Sequence, residues 1–238
     1  MYQKKLIIVP AFNESMNIIH VVQDIKQNAP DFDYVIINDC STDNTEEICK
    51  THHFNYVNLP INLGIGGAMQ TGYKYAQKYE YDVALQFDGD GQHDASYAAM
   101  LLATMNEKQA DMVIGSRFIT KEGFQSSFSR RIGIQFFEFL IQFVIRKRIT
   151  DPTSGFRMVS KNIIDEFCEY YPTDYPEPES VVSIIRNGYL VEETPVIMRE
   201  RMGGTSSIVN MKALYYMVKV SLAIMIDKLK PIRKGGVR

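Results

Sequence analysis

Two carboxylates one residue apart, in the run Asp88-Gly-Asp-Gly-Gln-His93, are the residues of this chain best placed for chemistry. Such a pair, with glycines allowing close approach, can hold a hard divalent cation and leave positions open for phosphate oxygens. A diphosphate partner follows from that chemistry. A plain Asp-Gly surface turn is the alternative, and the position directly after the apolar run Val83–Phe87 argues against it. Asn13, Glu14 and Asp39 carry donors and acceptors suited to a nucleoside's base and ribose. Helix capping by Asn13 or Ser15, and by Ser41 or Asp43, competes for the same region and is compatible with ligand contact. Arg117 and the Arg130-Arg131 pair offer planar cationic forks for phosphates, with a basic helix flank as the other reading of Arg131. His93 follows the acidic cluster closely, and a structural hydrogen bond is as good an account of it. The Gly64-Ile-Gly-Gly67 run resembles a dinucleotide loop only loosely, since it follows the third strand and lacks a third glycine.

These residues need elements to position them. Short apolar runs at Leu6–Val9, Tyr34–Ile37, Tyr56–Leu59, Val83–Phe87 and Met112–Ile114 alternate with helical patterns at Glu14–Gln27, Thr45–Thr51, Gly66–Tyr79 and Ala95–Lys108. That alternation predicts an α/β fold: a Rossmann-like, mostly parallel sheet with helices on both faces. Ligands in such sheets bind at the carboxyl ends of strands. Four strand ends here are polar, at Pro10–Ser15, Asn38–Asp43, Asp88–Asp94 and Gly115–Arg117. The second half reads as a helix over Arg130–Arg148, a strand at Gly155–Val159 and a helix at Lys161–Tyr170. A loop punctuated by Pro172, Pro176 and Pro178 follows, leading to a helix at Ser180–Asn187. A strand around Tyr189–Met198 and a last helix over Val209–Leu229 complete the reading. One domain over residues 1–207 is expected, with 208–238 forming an amphipathic helix and a basic tail.

The 238 residues are 45% hydrophobic and 23% charged, with 15 glycines and 9 prolines, which excludes collagen-like and wholly disordered chains. A net charge of −2 argues against a nucleic-acid binder. The three cysteines form no C-x-x-C pair, as expected of reduced thiols in the cytoplasm. The apolar run before Pro10 is too short for a signal-peptide core, and no stretch is long and uncharged enough to span a bilayer.

Six motifs occur in order: Val9-Pro-Ala-Phe-Asn-Glu14, Asn38-Asp-Cys-Ser-Thr-Asp43, Asn62-Leu-Gly-Ile-Gly-Gly-Ala68, Asp88-Gly-Asp-Gly-Gln-His93, Gly115-Ser-Arg117 and Asp151-Pro-Thr-Ser-Gly-Phe-Arg157. Over roughly residues 4–207 the chain resembles the family 2 inverting glycosyltransferases of GT-A fold, most closely their dolichyl-phosphate mannose synthase-like branch. The resemblance implies transfer of a sugar from a nucleotide diphosphate sugar, with Mg2+ or Mn2+ and inversion at the anomeric carbon. It implies nucleoside contacts at Pro10, Phe12, Glu14 and Asp39, and a metal and diphosphate cluster of Asp88, Asp90 and Gln92. Arg117 and Arg131 resemble diphosphate-binding arginines. Ser154 and Arg157 belong to a motif that resembles the wall of the sugar or acceptor site. Arg201, Thr205 and Ser206 resemble the loop that closes over the phosphates. Many relatives carry a lysine where this chain has Ile65, and membrane-spanning C-terminal helices, common in the branch, are missing from the sequence.

The acceptor is expected to be a polyprenyl-phosphate lipid or a cell-envelope glycan. Glu177 and Glu179 lie where saccharide-acceptor members carry an acidic base, and a hydroxyl acceptor would need one. An ionised lipid phosphate needs positioning alone. The apolar helices at Arg130–Arg148 and Ala213–Ile226 have basic flanks and suit the surface of an anionic membrane. Peripheral attachment at the inner face of the plasma membrane is therefore expected, with a homo-oligomer interface or a buried core as the other readings. Two rivals differ in class: a nucleotide-sugar-binding module without turnover, and a sugar-1-phosphate nucleotidyltransferase. The second would need a glycine- and lysine-bearing N-terminal phosphate loop, which the sequence lacks.

Overall fold

The computed structural model describes residues 2–120, 122, 128–173, 176–200 and 210–229. Among them, β1 (Lys5–Ala11), β2 (Asp33–Asn38), β3 (Tyr56–Asn58), β4 (Val83–Gln86), β5 (Met112–Ser116), β6 (Arg157–Ser160) and β7 (Val191–Pro195) form one seven-stranded sheet of order β3-β2-β1-β4-β6-β5-β7. Leu6 to Val9 and Val35 to Ile37 are fully buried, as strands covered on both faces must be. Each such side chain contributes about 1.5–3 kcal/mol through burial.

Two cores lie on the two faces. One packs α1 (Ile18–Asn28), α2 (Thr45–Thr51) and α4 (Ala98–Lys108) against the sheet. The other packs α3 (Gly64–Lys78), α5 (Phe128–Ile145), α6 (Lys161–Glu169), α7 (Pro176–Arg186) and α8 (Asn210–Leu229). The helices follow from spacing: α1 buries Ile18, Val21, Val22 and Ile25, one stripe of a 3.6-residue period. All three cysteines are free, and burial pushes the Cys49 and Cys168 thiols up to about 11.

The structure supplies one strand direction that the sequence reading left open and departs from that reading at two helix starts. β6 runs antiparallel to both β4 and β5. The chain returns along α5 to the carboxyl edge of the sheet, so the next strand has to start there and run back. Helix α7 begins at Pro176 rather than Ser180. Proline is tolerated in a first turn because the N–H it lacks would have no intrahelical acceptor. Glu177 and Glu179 therefore lie within the first turn of α7 and not in a loop before it. Helix α1 begins at Ile18, after a turn in which the Asn17 and Ile18 amides both donate to Glu14 O.

Candidate active site

The carboxyl ends of β1, β2, β4 and β5 share one edge, and backbone bonds knit the first three together. Asp39 N donates to Ala11 O at 2.8 Å, Phe87 N to Ile8 O at 2.9 Å and Gly89 N to Pro10 O at 3.3 Å. Pro10 is buried at the end of β1, whereas Phe12 just beyond it is 46% exposed. The loops after β1 and β2 interlock. Asn13, at φ 57°, accepts at Oδ1 from Thr42 N at 2.8 Å, and Glu14 N donates to Thr45 Oγ1 at 3.0 Å. The Glu14 carboxylate is buried and accepts from Asn17 Nδ2 at 2.7 Å.

Asp39 does a job the sequence did not disclose. Its two carboxylate oxygens accept from Leu63 N at 2.7 Å and Gly64 N at 2.8 Å, capping the start of α3. Burial pushes its pKa up, and those two amides pull it down. Gly66, two residues beyond Gly64, serves packing. A Cβ on Gly66 would lie 2.2 Å from Pro172 O and 2.3 Å from Thr173 O. The first turn of α3 is thus pressed against the chain that leads into α7.

At the end of β4 the two carboxylates are half-buried. Asp88 Oδ1 accepts from Gln86 Nε2 at 3.2 Å, and Asp88 N donates to His93 Nδ1 at 2.9 Å. His93 Nδ1 is therefore unprotonated, leaving Nε2 to carry the ring proton, 3.7 Å from Asp88 Oδ2. The imidazole is buried, stacked on Phe156 at 4.7 Å and edge-on to Phe87 at 5.4 Å. Asp90 Oδ1 accepts from Gln92 N at 3.0 Å, and Gln92 O accepts from Arg199 N at 2.8 Å. Among the described residues no three His, Cys, Asp or Glu side chains gather into a cage for a metal. The donor set that is present, two carboxylates flanked by glycine, fits a hard cation whose remaining positions go to phosphate oxygens or water.

Arg117 after β5 is buried and forms a fork on Asp151, with Nε to Oδ2 and Nη2 to Oδ1 both at 2.7 Å, and a third bond from Nη2 to Thr153 Oγ1 at 3.2 Å. Burial opposes its charge, but Asp151 outweighs this and holds the guanidinium above its ordinary pKa. Glu193 fixes the same segment by accepting from Thr150 N at 2.8 Å and Asp151 N at 2.9 Å. Ser154 Oγ donates to Gly115 O at 2.7 Å. Arg157 is fully buried, donating from Nε to Ser154 O at 3.0 Å, and from Nη1 to Glu177 O and Ser180 Oγ, both at 3.1 Å. Ser154 and Arg157 thus brace the site from within.

The two glutamates of α7 differ. Glu177 faces inward toward Gln86, Arg157 and Asp88, and burial pushes its carboxyl above the ordinary 4.5 while Arg157 pulls it down. Glu179 accepts from the hydroxyl of the exposed Tyr170 at 3.1 Å, on the rim. Arg131 is exposed on α5 and lines a cavity of about 140 Å³ with Phe118, Glu138, Arg148 and Thr150. Arg201, Thr205 and Ser206 lie outside the described residues, as does the tail after Leu229. Sequence reasoning missed Gln86, Asp151 and Glu193 as supports. The available signal was a glutamine inside an otherwise apolar strand.

The family model described as Glycosyl transferase family 2 matches residues 6–168. The UDP-N-acetylglucosamine--dolichyl-phosphate N-acetylglucosaminyltransferase of Methanococcus voltae is 27% identical, over 93% of this chain and 97% of its own. The polyprenol monophosphomannose synthase of Mycolicibacterium smegmatis is 23% identical, over 92% and 86%. Among solved structures, glucosyl-3-phosphoglycerate synthase from Mycobacterium tuberculosis, in complex with Mn2+, uridine-diphosphate and phosphoglyceric acid, is similar in fold with a TM-score of 0.70 at 15% identity. That likeness covers 99% of this chain and 80% of the other.

Proposed function

The chain belongs to glycosyl transferase family 2 and has a GT-A fold, and from that premise we propose that it moves one sugar from a nucleoside diphosphate sugar to a polyprenyl-phosphate lipid, with a divalent metal and inversion at the anomeric carbon. The observation that carries this reading is the convergence of Pro10–Glu14, Asp39, Asp88–Gln92 and Arg117 on one edge of the sheet. The names of the two sequence relatives support the lipid acceptor, and the Mn2+ and uridine-diphosphate of the structural neighbour support the donor and the metal.

In this reading Pro10, Phe12, Glu14 and Asp39 receive the nucleoside, and Phe12 offers an exposed ring to the base. Asp88, Asp90 and Gln92 hold the metal and the diphosphate. The bound metal, Mg2+ or Mn2+, supplies Lewis-acid stabilisation of charge on the departing diphosphate. Arg117, fixed in place by Asp151, adds a preorganised positive charge, and Arg131 and Arg201 meet phosphate oxygens. Ser154 and Arg157 set the wall behind the sugar, and Thr205 and Ser206, which lie outside the described residues, are assigned to contact with the phosphates. An ionised acceptor phosphate held in line on the opposite face of the sugar completes one displacement. It needs no proton removed, so positioning carries the acceptor side. If the acceptor were instead a saccharide hydroxyl, Glu177 is the better base than Glu179, because it faces Asp88.

The membrane reading rests on α5 and α8, which pack together. α5 buries Ile134, Phe137 and Ile141 and exposes Phe136, Phe139 and Phe143, while α8 buries Val220 and Ile224 and exposes Val218, Leu222, Met225 and Ile226. No helix among the described residues is long and apolar enough to cross a membrane. These faces suit the acyl boundary of an anionic leaflet, where the lipid acceptor resides. The function is tested by incubating the protein with Mn2+, polyprenyl phosphate and a panel of UDP- and GDP-sugars, following glycolipid and free nucleoside diphosphate. Formation of both supports the transferase. Pyrophosphate release would point to a nucleotidyltransferase, and donor binding without turnover to a binding module.

A further inference from the structure

Gln86 is the one polar side chain of β4 and is 1% exposed. Its Nε2 donates to Asp88 Oδ1 at 3.2 Å, and the amide also faces the carboxyl of Glu177 in the first turn of α7. Two carboxyl neighbours decide which way the amide points, since only its nitrogen can donate to them. The other end, Oε1, is buried with no hydrogen-bond partner. A buried amide left half-satisfied costs stability relative to an apolar side chain of the same shape. What keeps a glutamine here is therefore what its nitrogen does.

The surrounding chain is shaped to the same contact. A Cβ on Gly155 would lie 2.8 Å from Gln86 Nε2 and 2.9 Å from Asp88 Oδ2. In register, Gln86 stands opposite Arg157, whose Nη1 grips Glu177 O at 3.1 Å. Asp88 is held on its other side by His93. Gln86 thus stands where the carboxylate edge of the sheet meets the helix on the acceptor side.

We propose that Gln86 is a positioning residue that ties the first turn of α7 to Asp88, so that one side chain sets the donor carboxylate and the acceptor-facing helix in a common geometry. The inference rests on the transferase reading, and its test separates the two. Full-length wild type, Gln86→Leu, Glu177→Leu and the double variant are compared by thermal denaturation, by calorimetric titration of UDP and GDP with Mn2+, and by the KM for polyprenyl phosphate. Gln86→Leu should keep or raise Tm, yet weaken metal–nucleotide binding about tenfold or more, as loss of a ligand-orienting partner does. It should also raise the acceptor KM, and Glu177→Leu added to it should raise that KM no further, because both act through one contact. Gln86→Met conserves volume and replaces Gln86→Leu if the latter does not fold. Additive effects on KM, or a change in Tm with binding and KM unaltered, would overturn the inference. Wild type that binds no metal–nucleotide complex overturns the transferase reading and this inference with it. Wild-type binding that the variants share overturns this inference alone.

Discussion

The roles proposed for single residues separate cleanly into ligand contact and support, and substitutions should separate them too. Asp90 is half-buried at a strand end, outside both cores. Asp90→Ala should therefore abolish metal-dependent nucleotide binding in calorimetry while Tm stays near that of the wild type. Binding that survives both this change and EDTA would remove the metal from the account. Asp151 is the opposite case: fully buried and paired to Arg117. Asp151→Ala leaves a buried guanidinium without its partner, and unfolding titrations should show a loss of about 3–5 kcal/mol. Glu177 has a pH signature. Burial raises its folded pKa above the ordinary 4.5, so its contribution is present in full below that pH and declines as pH rises through the folded pKa. In EDTA, Glu177→Gln should match the wild-type Tm near pH 4 and exceed it increasingly toward pH 7. A gap that shrinks with rising pH contradicts the burial argument. With a polyprenyl-phosphate acceptor, Glu177→Gln and Glu179→Gln should both keep most of the turnover. A saccharide acceptor would make one of them lose about 10²–10⁴-fold.

At the scale of elements, the helices and strands that obey simple periodicity were legible in the sequence, and those decided by long-range geometry were not. Thr45–Thr51 was read with its observed bounds, because a short helix between two apolar strands leaves little choice. The direction of β6 was not legible, since it depends on where α5 returns the chain. The early start of α7 was hidden by prolines that punctuate loops and first turns alike. In the candidate site, Asp88–Asp90 and the polar strand ends stood out by residue type. The cap of Asp39 on α3 and the Arg117–Asp151 fork span 24 and 34 residues of chain and leave no local trace. Gly66 is the element-scale test. Gly66→Ala should displace the segment at Pro172 and Thr173, lower stability by about 1–3 kcal/mol and raise the acceptor KM more than the donor KM. The α5 face gives another: Phe139→Glu with Phe143→Glu should reduce sedimentation with anionic vesicles while nucleotide binding is kept. If the wild type ignores vesicles and these changes convert a dimer to a monomer, that face joins subunits.

For the whole molecule, the sheet divides the labour. Its carboxyl edge gathers the polar residues, one face carries α1, α2 and α4, and the other carries α3 and the helices α5 to α8, the pair α5 and α8 exposing its aromatic and aliphatic side chains outward. In the proposed function this places the donor at the edge and the lipid beside the exposed pair, with α7 between them. Inversion is the geometric consequence of an acceptor approaching from the face opposite the diphosphate. The most direct measurement uses a nucleotide sugar of α configuration that the panel identifies, with Mn2+ and polyprenyl phosphate. It determines the anomeric configuration of the product by NMR and counts nucleoside diphosphate released. A β-linked sugar phosphate lipid, with one nucleoside diphosphate per lipid glycosylated, is the result predicted. An α-linked product, or pyrophosphate in place of nucleoside diphosphate, would contradict the account.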